Sequence, residues 1–349
     1  MTRTELEKAL GEVRAWNHKS LKYLCTKFLN TPHWSQVHNE LDLFMRSAGN
    51  RIHIELPRGH LKSHIITKGW SLQQILRNPN IRILIVNATE DNAVKFLRSM
   101  QRYIGKGSLL EKVYGRFESG VWNQNEFIVN QRTEILDAPT VMGAGLQKTL
   151  TSQHYDVIIA DDLVEPENSR TKEQRDKVYE FYLSLFDLLE PQGKLVAIGT
   201  RYHQDDLYSR ILEDHQMNGG WSVFIRNCWL YDRAWEQPIF PEKFTVESLR
   251  AIYNKPGGKY HFAAQYMNNP IDPDSSDFRD GWIKHYDPTT PYPGSLYLTI
   301  DPAIALGRDA DYTAMIVAGM YQDRRIRVVD FLHKRLMPSD LVDEVFNLV

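Results

Sequence analysis

Long apolar runs are missing from this sequence. No stretch approaches the ~20 residues that a membrane-spanning helix needs, and the opening MTRTELEKAL lacks the apolar stretch of a secretory leader. Cysteine is scarce: Cys25 and Cys228 are the only two, which excludes a disulfide framework and fits a reducing compartment. Neither sign of charge dominates. A net charge of -2 argues against a chain that wraps nucleic acid wholesale, although a phosphate-tracking face needs only a few Lys and Arg. Internal repeats and low-complexity segments are absent. What is present is 349 residues, 42% hydrophobic and 25% charged. That is the composition of a packed core, and the length favours two domains over one.

Residues 4–28 read as one amphipathic helix with Leu6, Leu10, Val13, Trp16, Leu21 and Leu24 on its buried side. RIHIEL (51–56) reads as a strand and SHIITKGWSLQQIL (63–76) as a helix. The strand IRILIVNA (81–88) and the helix EDNAVKFLRSMQRYI (90–104) follow. YDVIIA (155–160) and KLVAIGT (194–200) are bare apolar runs, as expected of strands buried on both faces. Strands alternating with helices predict an α/β fold, a mostly parallel sheet with helices on both faces. Near residue 270 the composition turns to Pro, Asp, Asn and Ser (NNPIDPDSSDFRDG), which marks a linker or long loop.

Between the first strand and its helix lies LPRGHLKS, Leu56 to Ser63. A phosphate-binding loop curls backbone N–H groups around phosphates, reaches them with a lysine and ligates magnesium with a hydroxyl. The following helix aims its positive end at the anion. Lys62 and Ser63 fill the lysine and hydroxyl positions, while Leu56 and Leu61 stand where such loops carry glycine. Leu61 then has to adopt its backbone conformation with a Cβ attached, and Gly59 is the candidate for the tight turn. Arg58 adds a fixed positive charge within reach of a γ-phosphate.

The strand YDVIIADD ends in two acids. In phosphate-loop ATPases the first, here Asp161, holds magnesium. The next, here Asp162, orients and deprotonates the attacking water, with Glu165 or Glu167 as longer alternatives. A third buried strand ends in Gly199-Thr200-Arg201. Carboxyl ends of parallel strands are where ligands sit, so Thr200 is placed to sense the γ-phosphate. Past residue 290, LYLTID (296–301), TAMIVAGM (313–320) and RIRVVDFL (325–332) read as three successive strands with Asp301 in the first and Asp309 and Asp311 in the loop after it. That is how an RNase H-like nuclease begins, and two-metal nucleases need such carboxylates around paired Mg²⁺ or Mn²⁺.

Together these residues resemble the large subunit of tailed-bacteriophage terminase, the DNA-packaging motor. PRG-x-x-KS, with Arg58 four residues before Lys62, is similar to that family's deviant phosphate loop. VIIADDLVEPENSRT, AIGTRYHQDDLY and YHFAAQYMNNPID are similar to its acidic, coupling and closing segments. TPHWSQVHNEL (31–41) is similar to its adenine-reading segment. On that resemblance Gln36 reads adenine, and residues 58–63 (Arg58, Gly59, His60, Leu61, Lys62 and Ser63) cradle the nucleotide. Ser63 and Asp161 hold Mg²⁺, Asp162, Glu165 and Arg58 act in catalysis, and Gly199 and Thr200 couple it to movement. Asp301 and Asp311 would be nuclease metal ligands.

The implied fold is a phosphate-loop NTPase of the ASCE type over 1–270, a linker over 271–290, and the start of an RNase H-like nuclease domain over 291–349, cut short. The implied function is ATP-driven translocation of double-stranded viral DNA into a preformed capsid, with the parent protein also cutting DNA by two-metal hydrolysis. The implied cofactors are ATP and Mg²⁺, with Mg²⁺ or Mn²⁺ at the nuclease site. Portal protein, the small terminase subunit and a homo-oligomeric ring on the portal are the implied partners, in the host cytoplasm and transiently on the procapsid, with no membrane and no place in the mature virion. The resemblance also implies an arginine reaching a neighbour's ATP, but GAGLQKTLTSQHYD (143–156) has none; Lys148, Arg132 and Arg170 are candidates. Lys95, Arg98, Arg102, Lys106 and Lys112 form a basic strip, either a DNA-facing surface, a subunit interface or a solvated helix face. A helicase-like remodelling ATPase and a non-catalytic docking subunit for portal and capsid are the alternative functions.

Overall fold

The computed structural model describes residues 2–148, 153–230, 235–270, 284–286, 295–303, 312–321, 325–334, 336 and 338–348. They form two compact units, Met1–Ser276 and Asp277–Val349.

The first unit is built on an eight-stranded sheet. Its strands are β1 (Arg51–Glu55), β2 (Ile83–Asn87), β3 (Glu118–Trp122), β4 (Glu126–Val129), β5 (Val141–Gly145), β6 (Tyr155–Asp161), β7 (Leu189–Gly199) and β8 (Ser222–Ile225), in the order β3-β4-β5-β2-β6-β7-β1-β8. All neighbours from β5 to β8 run parallel, and β3-β4-β5 form an antiparallel edge. The helices are α1 (Arg3–Lys19), α2 (Leu21–Phe28), α3 (Gln36–Ser47), α4 (Ser71–Arg77), α5 (Glu90–Ile104), α6 (Leu109–Tyr114), α7 (Lys172–Ser184), α8 (Leu207–Asn218), α9 (Val246–Tyr253) and α10 (Gly258–Tyr266).

The apolar strands are explained by their two faces. Ile52, Ile54, Ile83, Ile85, Val157, Ile159, Val196 and Ile198 pack on one core with α2, α3, α4 and α5. The alternate residues Leu84, Val86, Ile158, Ala160, Leu195 and Ala197 pack on a second core with α7 and α8. With side chains alternating along each strand, a strand covered on both sides must be apolar at every position, which is why YDVIIA shows no polar alternation. A third, aromatic cluster around Trp229, Phe262 and Tyr266 anchors α9 and α10.

The expected single helix over 4–28 is two helices. Ser20 leaves the helical region (ψ 110°) and its hydroxyl accepts from the Tyr23 N–H, capping α2. Capping satisfies an N–H that helix continuation would otherwise pair. The break also rotates the apolar stripe: Leu21 and Leu24 are buried, whereas Leu6 and Trp16 are 43% and 54% exposed. The chain after β1 is also not a plain α-helix. His64–Trp70 forms a π-helix before α4, a wide turn that recurs near functional sites. Gly69 lies in this stretch because α2 comes so close that a Cβ would sit 2.6 Å from Cys25 Sγ.

The second unit contains β9 (Leu296–Asp301), β10 (Thr313–Met320) and β11 (Ile326–Lys334), antiparallel in the order β11-β10-β9, and helix α11 (Pro338–Leu348). Asp301 ends β9, paired opposite Ala314. Asp309 and Asp311 lie outside the described residues, as does most of the expected linker.

Overpacking of this kind typically costs about 1–3 kcal/mol. Gly69→Ala should therefore lower the unfolding midpoint, and Cys25→Ala in the same chain should restore most of the loss. A Gly69→Ala chain as stable as the native one would contradict the close approach.

Candidate nucleotide site

The sheet order brings the separate sequence signals together. β7 lies between β1 and β6, so the loop after β1, the acids ending β6 and Thr200 after β7 emerge side by side at the carboxyl edge. Asn87, the last residue of β2, joins them: its amide donates to the Asp161 carbonyl at 2.6 Å.

The loop is strained where the sequence suggested it would be. Leu61 has φ +64° and Gly59 φ +80°. A left-handed conformation costs an L-residue roughly 1–2 kcal/mol, so the surroundings must hold Leu61 there. Several contacts brace the loop. Leu61 packs partly on the core beneath it. His60 is buried, stacked on Phe244 with centroids 4.8 Å apart, and its carbonyl lies 3.1 Å from His38 Nε2 of α3. Lys243 Nζ donates to the Gly59 carbonyl at 2.6 Å, and a Cβ on Gly59 would sit 3.0 Å from the Phe244 ring. The Arg58 N–H donates to the carbonyl of Gln265 on α10 at 2.9 Å.

Within this cradle the Ser63 hydroxyl donates to Asp161 at 3.0 Å, and Thr67 donates to its other carboxyl oxygen at 2.5 Å. Asp161 is fully buried. Burial raises its carboxyl above the usual carboxylate range and the neighbouring Asp162 raises it further, while Lys62, Thr67 and Ser63 oppose the shift. Lys62 Nζ is 3.3 Å from Asp162 Oδ1. That carboxyl oxygen is buried and accepts no hydrogen bond, so the lysine is its partner. Asp162 itself has φ +49°, a conformation Asp tolerates better than most residues. Glu165 accepts a long bond from Asn92 (3.4 Å), and burial, with Glu167 and Asp162 beside it, raises its carboxyl.

Mg²⁺ takes hard oxygen ligands in few protein positions, leaving the rest for water and phosphate. The Ser63 hydroxyl beside the buried Asp161 carboxylate is such a donor pair. A dication there would relieve the penalty that burial imposes on the charged carboxylate. Among the described residues no three His, Cys, Asp or Glu side chains gather into a metal cage, and this two-ligand pattern does not need one.

Arg58 is exposed and makes no side-chain hydrogen bond or ion pair among the described residues. Its guanidinium acts on Tyr202, whose phenol burial raises and which also feels Asp162 and Glu165, with the Thr200 hydroxyl alongside. Gly199 has a packing role: a Cβ there would sit 2.0 Å from Tyr208, whose ring covers the strand end. Arg201 is held below the surface, its guanidinium 3.2 Å from Asp206 and 3.9 Å from Glu55. Gln36 is exposed at the start of α3, two residues before His38, and among the described residues its side chain accepts a long bond (3.5 Å) from Asn39.

Of the three candidate cations for a neighbour's site, Arg132 is half-buried. It donates to the carbonyls of Ala138 and Ile81, near the amino end of β2 and away from the loop. Lys148 lies just past the carboxyl end of β5, 4.0 Å from Glu90, and Arg170 is exposed on the segment after the acids. Lys95, Arg98, Arg102, Lys106 and Lys112 are all exposed, and Arg98 borders two clefts along α5 of about 420 and 450 Å³. In the second unit Asp301 is exposed at the end of β9.

Sequence reading missed Thr67, Asn87, His38, Lys243 and Gln265. Thr67, four residues beyond Ser63 on the same helix, and Asn87, a polar end to an apolar strand, left readable signals. The other three reach the site from distant segments.

The class this geometry defines is an α/β fold of the phosphate-loop NTPase type. No family model matches the sequence. The chain is similar to the terminase large subunit of Enterobacteria phage T3, 26% identical over 269 residues, which covers 75% of this chain and 44% of that protein. The chain thus spans less than half the length of that relative. Among solved structures it is similar to the HK97 bacteriophage large terminase, at 14% identity and a TM-score of 0.47, covering 86% of this chain and 62% of that one. It is also similar to the large terminase ATPase domain of Thermus phage P74-26, at 15% identity and a TM-score of 0.45, covering 72% and 98%. Structural likenesses of that size carry no weight for function.

Burial holds three histidines around the loop well below their ordinary value: His38 and His64 to about 4 and His60 to about 3. In the unfolded chain they bind protons near pH ~6.5. Stability that is full above that value is therefore lost as pH falls toward the folded values. The unfolding midpoint should drop between pH ~6.5 and ~4, and His60→Phe, which keeps the stack on Phe244, should drop less. Identical slopes for the two chains would contradict this.

Proposed function

We propose that the first unit is an ATP-hydrolysing engine and that the protein works as a viral DNA-packaging motor. The observation that carries the first part is the meeting of Lys62 and Ser63 with Asp162 and Asp161 across about a hundred residues of sequence. The similarity to a phage terminase large subunit supports the second. Lys62 and the exposed Arg58 hold the phosphates. Ser63 and Asp161 would hold Mg²⁺, which when bound neutralises phosphate charge. Asp162 keeps Lys62 in place until phosphate takes it. Among the described residues no cation pairs with Glu165, and burial raises its carboxyl, the direction a general base needs; we assign it the attacking water. Gln36 reads adenine, and Gly199 and Thr200 sit where loss of the γ-phosphate is felt. Nuclease cutting through Asp301 and Asp311, with Mg²⁺ or Mn²⁺, belongs to the same reading, as do double-stranded DNA, portal protein and the small terminase subunit as partners, a ring on the portal, and action in the host cytoplasm on the procapsid.

Mg²⁺-dependent ATP hydrolysis, with and without duplex DNA, tests the engine. Lys62→Ala should lower kcat/KM by about 100-fold or more, the scale of losing a charge-stabilising group at a reacting centre. Glu165→Gln should lose turnover while still binding nucleotide. Leu61→Gly should stay within about threefold of the native rate, because glycine adopts φ > 0 freely. Hydrolysis that survives Lys62→Ala would sink the reading.

A further inference from the structure

One buried residue touches both the phosphate loop and the end of β7. Gln265, on α10, is 1% exposed. Its carbonyl accepts the Arg58 N–H of the loop at 2.9 Å. Its side-chain Nε2 donates to the Arg201 carbonyl at 2.8 Å, and its Oε1 accepts the Thr200 hydroxyl at 3.3 Å. The amide orientation is fixed by chemistry, since a backbone carbonyl cannot donate and Nε2 must face it. Gln265 thus ties the candidate phosphate loop to a hydroxyl at the carboxyl edge, from a helix anchored in a separate aromatic cluster.

We propose that Gln265 is the positioning residue that reports the γ-phosphate to α9 and α10; this rests on the ATPase reading above. Thr200 has one O–H to donate. A phosphate oxygen beside β7 competes with Gln265 Oε1 for that hydrogen. When phosphate wins, a buried amide oxygen is left without its donor, a state that buried polar groups avoid. α10 then relieves it by shifting, and the shift also moves the Arg58 N–H bond. When phosphate leaves, the Thr200 hydroxyl returns to Gln265 and α10 settles back. The loop, the strand end and the helical segment are in this way given two alternative arrangements, as a motor requires.

The test is steady-state ATP hydrolysis by the full 349-residue chain with duplex DNA, beside equilibrium binding of a fluorescent ATP analogue. Gln265→Ala and Thr200→Val should each lower kcat about tenfold, with KM for ATP changed less than about threefold. Their double variant should be no worse than the worse single, because both break one linkage. Gln265→Glu, which is isosteric, should bind nucleotide normally. Its ionised carboxylate would hold the Thr200 hydrogen and repel the Arg201 carbonyl, so its kcat should be low at pH 8 and recover as pH falls and the buried carboxyl protonates. Multiplying losses in the double variant, a rise in KM at unchanged kcat, or a native pH profile in Gln265→Glu would each overturn the proposal while leaving the ATPase reading intact. A native chain that neither binds nor hydrolyses ATP would overturn both.

Discussion

The buried carboxylate of Asp161 constrains everything around it. A charge at the end of a fully apolar strand is expensive unless hydrogen bonds and a counter-charge meet it. Here the compensation comes from other segments: Ser63 and Thr67 from the helix after β1, Lys62 acting through space, and Asn87 fixing the Asp161 backbone from β2. Those groups arrive only if β1, β7, β6 and β2 stand side by side and parallel with their carboxyl ends together. The sheet order and the site are therefore one requirement, and the remaining deficit at Asp161 is what a hydrated dication would satisfy.

The loop shows how the strain of an unusual residue is absorbed. Leu61 and Asp162 both sit at positive φ, in the segments that follow β1 and β6. Neither conformation is favoured locally, and such strain persists only where surrounding contacts over-determine it. For Leu61 the contacts are its own packing on the core, the His60 stack on Phe244, and the bonds to Gly59 and Arg58. For Asp162 they are backbone bonds to Ile198 and Ala88 and the Lys62 ammonium. Leucine at position 61 is tolerable because rigidity has been moved from the loop's own glycines to the residues packed against it.

This division explains what the sequence could and could not reveal. Lys62, Ser63, Asp161 and Thr200 were legible because each lies at the junction of an apolar run with a loop, a local pattern that marks the carboxyl edge of a parallel sheet. β2 and α5 were legible for the same reason. The antiparallel edge β3-β4-β5 was not. ESGVW and VMGAG carry too little β-branched or alternating character; VMGAG becomes a strand because β2 offers a partner, and ESGVW because β4 does. The break at Ser20 was hidden by an apolar periodicity that runs on past it. Lys243, His38 and Gln265 were illegible because their partners lie 22 or more residues away, and nothing local distinguishes a buried glutamine that bridges two loops from one that fills space.

The most direct measurement is calorimetric binding of a nonhydrolysable ATP analogue, with and without Mg²⁺, to the native chain and to Asp161→Asn. The asparagine keeps the shape and can pair with the Ser63 and Thr67 hydroxyls, so only the charge is lost. The account predicts that Mg²⁺ tightens binding by about tenfold or more in the native chain and by less than about threefold in the variant. An equal Mg²⁺ effect in both would contradict the claim that this buried carboxylate is where the metal and nucleotide meet the fold.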